Sequence, residues 1–324
     1  MFNTMFWEDF STLLQKEVES KSNLRNIHIS FALDEIDFCA PLKSDVKVLI
    51  LLEPPAVMPE NYQRRKWNNF DFVFMLSPWR AERFGLPLIG FQPVQRPSFE
   101  RRDLKSKKPA IVFINDFKFG AVKSSLYGWR LRCLSLLEKE GVPIDVFGPN
   151  WTMSKFMEVR KRLAATKRAL MHPNFSLREG WSSLFFRPKR YFGSVKSKNE
   201  TLETYSFCLV IENDEYSLTE KLFDAIFSGA RVFYRGPSLD HHVPLGNLCI
   251  QLPKDVRAAV KIMKTSLMDD FSVLDAEGAA FVNDKTSMNF CSVEKLARDI
   301  ADFLEIAIQR GQISILQIEL KRDE

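Results

Sequence analysis

The feature that most constrains this chain is a set of short apolar runs with almost no alternation: VKVLILL (46–52), FDFVFML (70–76), AIVFIND (110–116), FCLVIEN (207–213) and ARVFY (230–234). A strand with water on one face alternates apolar and polar residues, whereas an unbroken run must be covered on both faces, as in a parallel sheet flanked by helices. Between the runs lie segments with helical spacing, among them SSLYGWRLRCLSLLEKEG (124–141), KDVRAAVKIMKTSL (254–267) and SVEKLARDIADFLEIAIQR (292–310). Strand and helix in alternation predict an α/β fold of βαβ units with parallel sheets.

The alternation occurs in two blocks. The first holds an amphipathic helix carrying Phe6, Phe10, Leu13 and Leu14, then the strand candidates HISFALD (28–34), VKVLILL, FDFVFML and LPLIGF (86–91). A polar, charged stretch, QRPSFERRDLKSKKP (95–109), separates it from the second. A chain of 324 residues also exceeds one ordinary core. The expectation is two Rossmann-like domains facing a cleft, residues 1–105 and 106–290, followed by a last helical segment, 291–324. In such sheets ligands sit outside the carboxyl ends of the strands, so the loops after the apolar runs are where chemistry belongs.

Composition narrows the classes. The five cysteines are widely separated and never form C-x-x-C, which argues against a zinc site or a disulfide framework. No apolar run approaches the ~18 residues that span a bilayer, and the N-terminus lacks a signal pattern, so a cytoplasmic protein is expected, with contact at the inner face of a membrane as a further option. The net charge of +5 is uneven: residues 155–198 hold twelve Lys and Arg against the two acids Glu158 and Glu179. That segment, with Trp151, Phe156, Trp181 and Phe185, keeps open a binding module for nucleic acid or anionic membrane. Helical spacing of Phe156, Val159 and Leu163 suits a core-facing stripe equally well.

The richest stretch is YSFCLVIENDEYSLTEKLFDAIFSGARVFYRG (205–236). It reads as a strand ending in Glu212 and Asn213, a short acidic loop, a helix opened by Ser217 or Thr219 and closed by Gly229, and a return strand. Free N–H groups at the helix start favour an anion, and Lys221 in the first turn is a cation at the wrong end of the dipole, which a bound phosphate would offset. Glu220 can accept hydrogen bonds from sugar hydroxyls. A surface ion pair of Lys221 with Asp214, Glu215 or Asp224 explains the same residues, and the local pattern leaves the two readings level. In the first block, LEPPAVMPENY (52–62) puts Glu53 at a strand end before two prolines. By itself it reads as an ordinary exposed acid.

These motifs resemble glycosyltransferase family 10, the α-1,3/1,4-fucosyltransferases, in its bacterial type. The family pattern runs roughly Y-K-F-x-L-x-F-E-N, a short loop, Y-[IV]-T-E-K-[IL], and a helix of small residues; order and spacing agree. PIDVFG (143–148), YFGSVKSKNETLE (191–203) and FCSVEKLARDI (290–300) resemble further family segments, so the similarity covers most of residues 107–305. The resemblance implies a GT-B fold and a metal-independent, inverting transfer of fucose from GDP-fucose to a glycan hydroxyl. It assigns donor binding to Arg130, Asn213, Glu220 and Lys221. It makes Glu53 the base that takes the acceptor proton, a role that partial burial would favour by raising its pKa. It also implies that the last helix packs back on the first domain. Ser217 and Cys208 stand where the family often has tyrosine, which keeps a related transferase with another nucleotide sugar as the alternative. The expected partners are a nucleotide sugar and a glycan acceptor, lipid-linked as one option, with neither nucleic acid nor a cofactor beyond the donor. Glu35 and Asp37, Asp269 and Asp270, and the pair His241 and His242 read as ordinary acids and imidazoles rather than metal ligands.

Overall fold

The computed structural model describes residues 4–34, 45–88, 107–239, 245–267, 272–283 and 292–311. The chain forms two compact units: residues 1–53, 61–95 and 288–324 make the first, and residues 54–60 and 96–287 the second.

The first unit runs α1 (Thr4–Ser20), β1 (Ile29–Leu33), β2 (Val46–Leu51), α2 (Arg64–Trp67), β3 (Phe72–Met75) and α3 (Pro78–Phe84). The second runs β4 (Lys108–Ile114), α4 (Tyr127–Lys139), β5 (Ile144–Phe147), α5 (Lys155–Ala169), α6 (Leu177–Gly180), α7 (Lys198–Glu203), β6 (Tyr205–Ile211), α8 (Glu220–Phe227), β7 (Arg231–Arg235), β8 (Ile250–Gln251), α9 (Val256–Ser266) and α10 (Ser272–Asn283). The chain then returns to the first unit as α11 (Val293–Gln309).

In the first unit three strands lie in the order β1-β2-β3, all parallel, with Ile29 opposite Val46 and Val48 opposite Phe72. Both faces are covered, which is why the runs do not alternate. Val48, Ile50, Phe72 and Phe74 pack with Phe10 and Leu14 of α1 and with Leu296, Ile300 and Leu304 of α11. Leu49, Leu51, Val73 and Met75 meet Tyr62, Trp67 and Ala81 on the other side. Salt bridging of Lys21 to Asp302 ties α1 to α11 at its exposed edge. The strand expected over 86–91 does not form in Leu86–Leu88, and the rest of it lies outside the described residues.

The second unit has a five-stranded, all-parallel sheet in the order β5-β4-β6-β7-β8. The chain leaves β4 for β5 on one side and then crosses to β6 on the other, so the order reverses between β4 and β6. The core on one face joins Ile111, Phe113, Phe207, Leu209 and Phe233 of the strands to Leu134 and Leu137 of α4 and Val260 and Met263 of α9. On α8, Leu222, Phe223 and Ile226 are buried, and Gly229 at φ +70 follows the helix in the left-handed conformation expected of its terminator. Residues 54–60 group with this unit: Ala56 and Val57 pack with Val122, Tyr127 and Ala169. A Cβ on Gly120 would lie 2.8 Å from the Ala56 carbonyl oxygen, so glycine is what lets this turn come close.

Of the two readings left open for the Phe156, Val159 and Leu163 stripe of helix α5, the core-facing one does not hold, although Val159 is half-buried. Phe156 and Leu163 are exposed, and the inward residues are Glu158, Arg162, Ala165 and Ala169. The Arg162 guanidinium donates to Glu158 Oε1 at 2.7 and 3.0 Å and to the Gly180 carbonyl at 2.7 Å, while Arg187 donates to Glu158 Oε2 at 2.8 Å. Burial alone would raise the Glu158 carboxyl, but the bonds from Arg162 and Arg187 outweigh it and hold the group below its ordinary range. Arg162 also lies over the Phe119 ring, 4.2 Å from its centroid. Helix position is therefore set by one carboxylate shared between two guanidinium groups. Glu158→Gln leaves both cations uncompensated, and urea unfolding is expected to show a loss of about 3 kcal/mol or more. Exposed Arg160→Gln is expected to stay within about 0.5 kcal/mol.

Candidate functional site

All strands of the second sheet end at the same edge, and the reversal between β4 and β6 opens a crevice between two strand ends. Residues after β4 begin with Asn115 and Asp116; those after β6 are Glu212, Asn213 and Asp214. Arg130, one turn into α4, reaches between them. Its guanidinium donates to the carbonyls of Ile211 at 3.0 Å, Glu212 at 3.4 Å and Asp116 at 3.5 Å. Only 2% of Arg130 is exposed, and its Nε has no hydrogen-bond partner among the described residues. Burial lowers its pKa to about 10, against the charges of Tyr127, Glu212 and Asp116, so it remains a cation at neutral pH. Arg130 thus floors the crevice and holds its two sides.

Glu212 is fully buried at the end of β6. Its carboxylate accepts from the Thr219 N–H at 3.0 Å and the Thr219 hydroxyl at 2.6 Å. Burial raises its pKa, with the Lys221 charge and the Thr219 bonds opposing. Because the Thr219 hydroxyl points at Glu212, it does not cap α8, whose first-turn N–H groups have no N-cap side chain on them. Lys221 stands in that turn with Nζ 3.6 Å from Glu212 Oε2, 3.2 Å from Thr219 Oγ1 and 3.5 Å from Asn213 Oδ1.

The ion pairs offered by the loop are made elsewhere. Asp214 accepts from the Ser124 hydroxyl and the Tyr216 N–H, Glu215 pairs with Arg235 and Lys254, and Asp224 pairs with Lys198. Lys221 is therefore not a surface partner of any of these three acids; it is drawn back over the strand end by Glu212. Glu220 has Lys198 Nζ at 3.7 Å. Burial would raise its carboxyl, but the charges of Lys221 and Lys198 lower it, leaving an ionised acceptor beside the helix start. The structure brings Arg130, Asn213, Glu220 and Lys221 to the end of β6 and the start of α8.

Three contributors escaped the sequence pattern. Lys198 opens α7 and reaches α8 from another part of the chain. Tyr234 buries a hydroxyl with no hydrogen-bond partner among the described residues. Gly236 closes over Tyr234 and Glu212: a Cβ there would lie 2.2 Å from the Tyr234 hydroxyl and 2.8 Å from Glu212 Cγ. The R-G-P after an apolar strand was the available signal. Cys208 is buried in β6 with its thiol pushed to about 12 by burial, and Ser217 is buried in the loop, so both act as packing residues. Glu35, Asp37, His241, His242, Asp269 and Asp270 lie outside the described residues. Among the described residues no group of three His, Cys, Asp or Glu converges as metal ligands would.

In the first unit Glu53 follows β2, partly buried. Its placement depends on Asp34, which sequence reasoning did not single out. Asp34 ends β1 at φ +54, a left-handed turn that aspartate tolerates better than most residues. That turn folds its carboxylate back over β2, where it accepts the N–H groups of Leu52 at 3.0 Å and Glu53 at 3.0 Å. Asn61 donates to the Asp34 carbonyl at 3.0 Å, and the Tyr62 hydroxyl donates to the Glu53 carbonyl at 2.9 Å. Burial raises the Asp34 carboxyl to about 7; the two backbone N–H groups oppose this, and the Glu53 charge adds to it.

No family model and no curated protein matches the chain in sequence. Solved structures match it in fold. An α,α-trehalose-phosphate synthase (UDP-forming) from Burkholderia vietnamiensis is 11% identical with a TM-score of 0.50, over 95% of this chain and 81% of that one. A glycosyltransferase from Rickettsia africae ESF-5 is 8% identical with a TM-score of 0.49, over 92% and 81%. An α1,3-fucosyltransferase with GDP-fucose is 16% identical with a TM-score of 0.34, over 63% of this chain and about half, 49%, of that one. The likeness to the synthase is one of fold: two parallel α/β units of the GT-B type.

Two outcomes follow from the geometry. Gly236→Ala must push Tyr234 and Glu212 apart, and is expected to cost about 1–3 kcal/mol in thermal or urea unfolding. For Asp34 the folded pKa of about 7 lies above the ordinary aspartate value of 3.8. Stability from this group is therefore greatest in acid and declines as pH rises from about 4 to 7, by at most about 4 kcal/mol. Asp34→Asn is expected to remove that slope, read as the difference between variant and parent unfolding curves across the window.

Proposed function

We propose that this chain is an inverting glycosyltransferase that moves fucose from GDP-fucose to a hydroxyl of a glycan acceptor. The observation that carries the reading is the start of α8: a first turn without a side-chain cap, Lys221 turned over the end of β6 by Glu212, and the Arg130 cation beneath. A diphosphate would take the first-turn N–H groups, which have no N-cap side chain on them, and share Lys221, and the Arg130 Nε, without a hydrogen-bond partner among the described residues, lies in the same crevice. Ionised Glu220 would accept the hydroxyls of ribose or sugar, and Asn213 beside it would orient them.

In the proposed reaction Glu53 takes the acceptor proton as the acceptor oxygen bonds to the anomeric carbon. The bond from that carbon to the diphosphate breaks, and its electron pair leaves with GDP. Charge developing on the departing diphosphate is met by fixed donors and cations, which cost no reorganisation as it forms. No resident cofactor is invoked. Asp34 would position Glu53 by holding its backbone N–H, and Tyr62 by holding its carbonyl. A lipid-linked glycan is the acceptor class we favour, and a cytoplasmic setting fits that donor.

GDP and GDP-fucose at a hundred times Kd are expected to stabilise the chain by about 2.7 kcal/mol, seen as a rise in Tm. Absence of a shift with either, alongside a shift with a uridine diphosphate sugar, would move the assignment to a related transferase. Glu53→Gln is expected to keep the GDP shift and lose ~10²-fold or more in GDP release over an acceptor panel. Lys221→Ala is expected to weaken GDP binding by roughly 10- to 100-fold. Equal turnover in both variants and the parent would overturn the scheme.

A further inference from the structure

The outer face of α5 has no role in the site at the β6 end, and its composition is unusual. With ion-paired Glu158 and Arg162 turned inward, Phe156, Leu163 and Leu170 stand outward at 76%, 54% and 56% exposure. They recur every seven residues, so they form one stripe about 21 Å long at 1.5 Å per residue. Arg160 and Lys167 are exposed within the same stripe, and Lys155 and Arg168 flank it. From 155 to 171 the sole acid is Glu158, and it is fully buried between Arg162 and Arg187. The exposed surface of this helix is therefore apolar and cationic, with no negative charge of its own.

Single exposed apolar side chains are ordinary, but an aligned set on one helix is a patch that calls for a partner. We infer that the outer face of α5 docks the protein on an anionic lipid surface, with Phe156, Leu163 and Leu170 entering the headgroup boundary. The basic side chains would meet lipid phosphates, their methylene stems lying along the apolar layer and their charges at its edge. Of the three stripe residues only Phe156 carries a ring on which a base could stack; Leu163 and Leu170 are aliphatic, and Trp151, the nearest large aromatic upstream, is buried against Phe117 at 4.8 Å between centroids. Lipid is thus a better match than nucleic acid. The inner face explains why the helix can present this surface: the Glu158 pair and the small side chains of Ala165 and Ala169 anchor it, which leaves Phe156, Leu163 and Leu170 outward. The inference does not rest on the transferase reading, since vesicle binding needs neither donor nor acceptor.

Co-sedimentation of the full chain with phosphatidylcholine vesicles, with and without about a third phosphatidylglycerol, tests it. Binding is expected to the anionic vesicles, weakening at high salt. Replacing Arg160 or Lys167 by Gln is expected to weaken it about fivefold each. The pair Phe156→Ser and Leu163→Ser is expected to reduce it tenfold or more, with unchanged Tm because both positions are exposed. Light scattering is expected to show the same oligomeric state in parent and variants. The inference is overturned by equal binding to neutral and anionic vesicles, by retention in the serine pair, or by binding to a single-stranded oligonucleotide but not to vesicles. Loss of self-association in the serine pair, with vesicle binding absent in the parent, would assign the face to a second copy of the chain instead.

Discussion

The site in the second unit depends on one buried carboxylate. Glu212 lies at the end of β6 with no exposed surface and takes both hydrogen-bond donors of Thr219. That choice withdraws the usual cap from α8 and turns Lys221 back toward the strand end. A buried carboxylate without partners would be costly, so the loop, the helix start and the lysine are held together by the need to satisfy it. Tyr234 and Gly236 on the return from β7 complete its surroundings, since only a glycine leaves room for the Tyr234 ring there.

The first unit uses the same device with different residues. Asp34 ends β1 and satisfies the N–H groups that emerge from β2, including that of Glu53. In both units an acid at a strand end captures backbone donors of a neighbouring segment and thereby aims a second ionisable side chain. The physical cause is common to parallel sheets. Strand ends expose unpaired N–H groups at one edge, and a short carboxylate within reach is the strongest acceptor for them. The difference lies in charge: Glu212 has a cation beside it, whereas Asp34 has the Glu53 carboxylate, and its pKa of about 7 reflects burial first and that neighbour in addition.

Legibility varied with the range of the interactions. The unit from β6 to β7 was readable because strand, loop, helix and glycine stop follow one another within 32 residues, 205–236. Helix α5 was readable as a helix, and its Ser154 cap forms as such caps do, accepting from the Met157 N–H. Its orientation was not readable. Phe156, Val159 and Leu163 have helical spacing whether they face core or solvent, and what turned Phe156 and Leu163 outward, with Val159 half-buried, is Glu158 meeting Arg187 and Arg162 meeting Gly180. Asp34 was missed for a related reason. Its importance comes from a left-handed turn and from β2, neither of which leaves a mark on the residues around it.

By itself the sequence determined the parallel α/β fold, because unbroken apolar strands leave no face for water and must be covered on both sides. It also determined where the crevice residues Arg130, Asn213, Glu220 and Lys221 fall along the chain. Only the tertiary structure decided which acid holds Lys221. Glu212, Asp214, Glu215 and Asp224 all lie within nine residues of it, so spacing cannot rank them. The ranking was made by Lys198, Arg235 and Lys254, which arrive from other parts of the chain and occupy Asp224 and Glu215 first. Glu212 is left for Lys221 because burial denies it any partner from solvent.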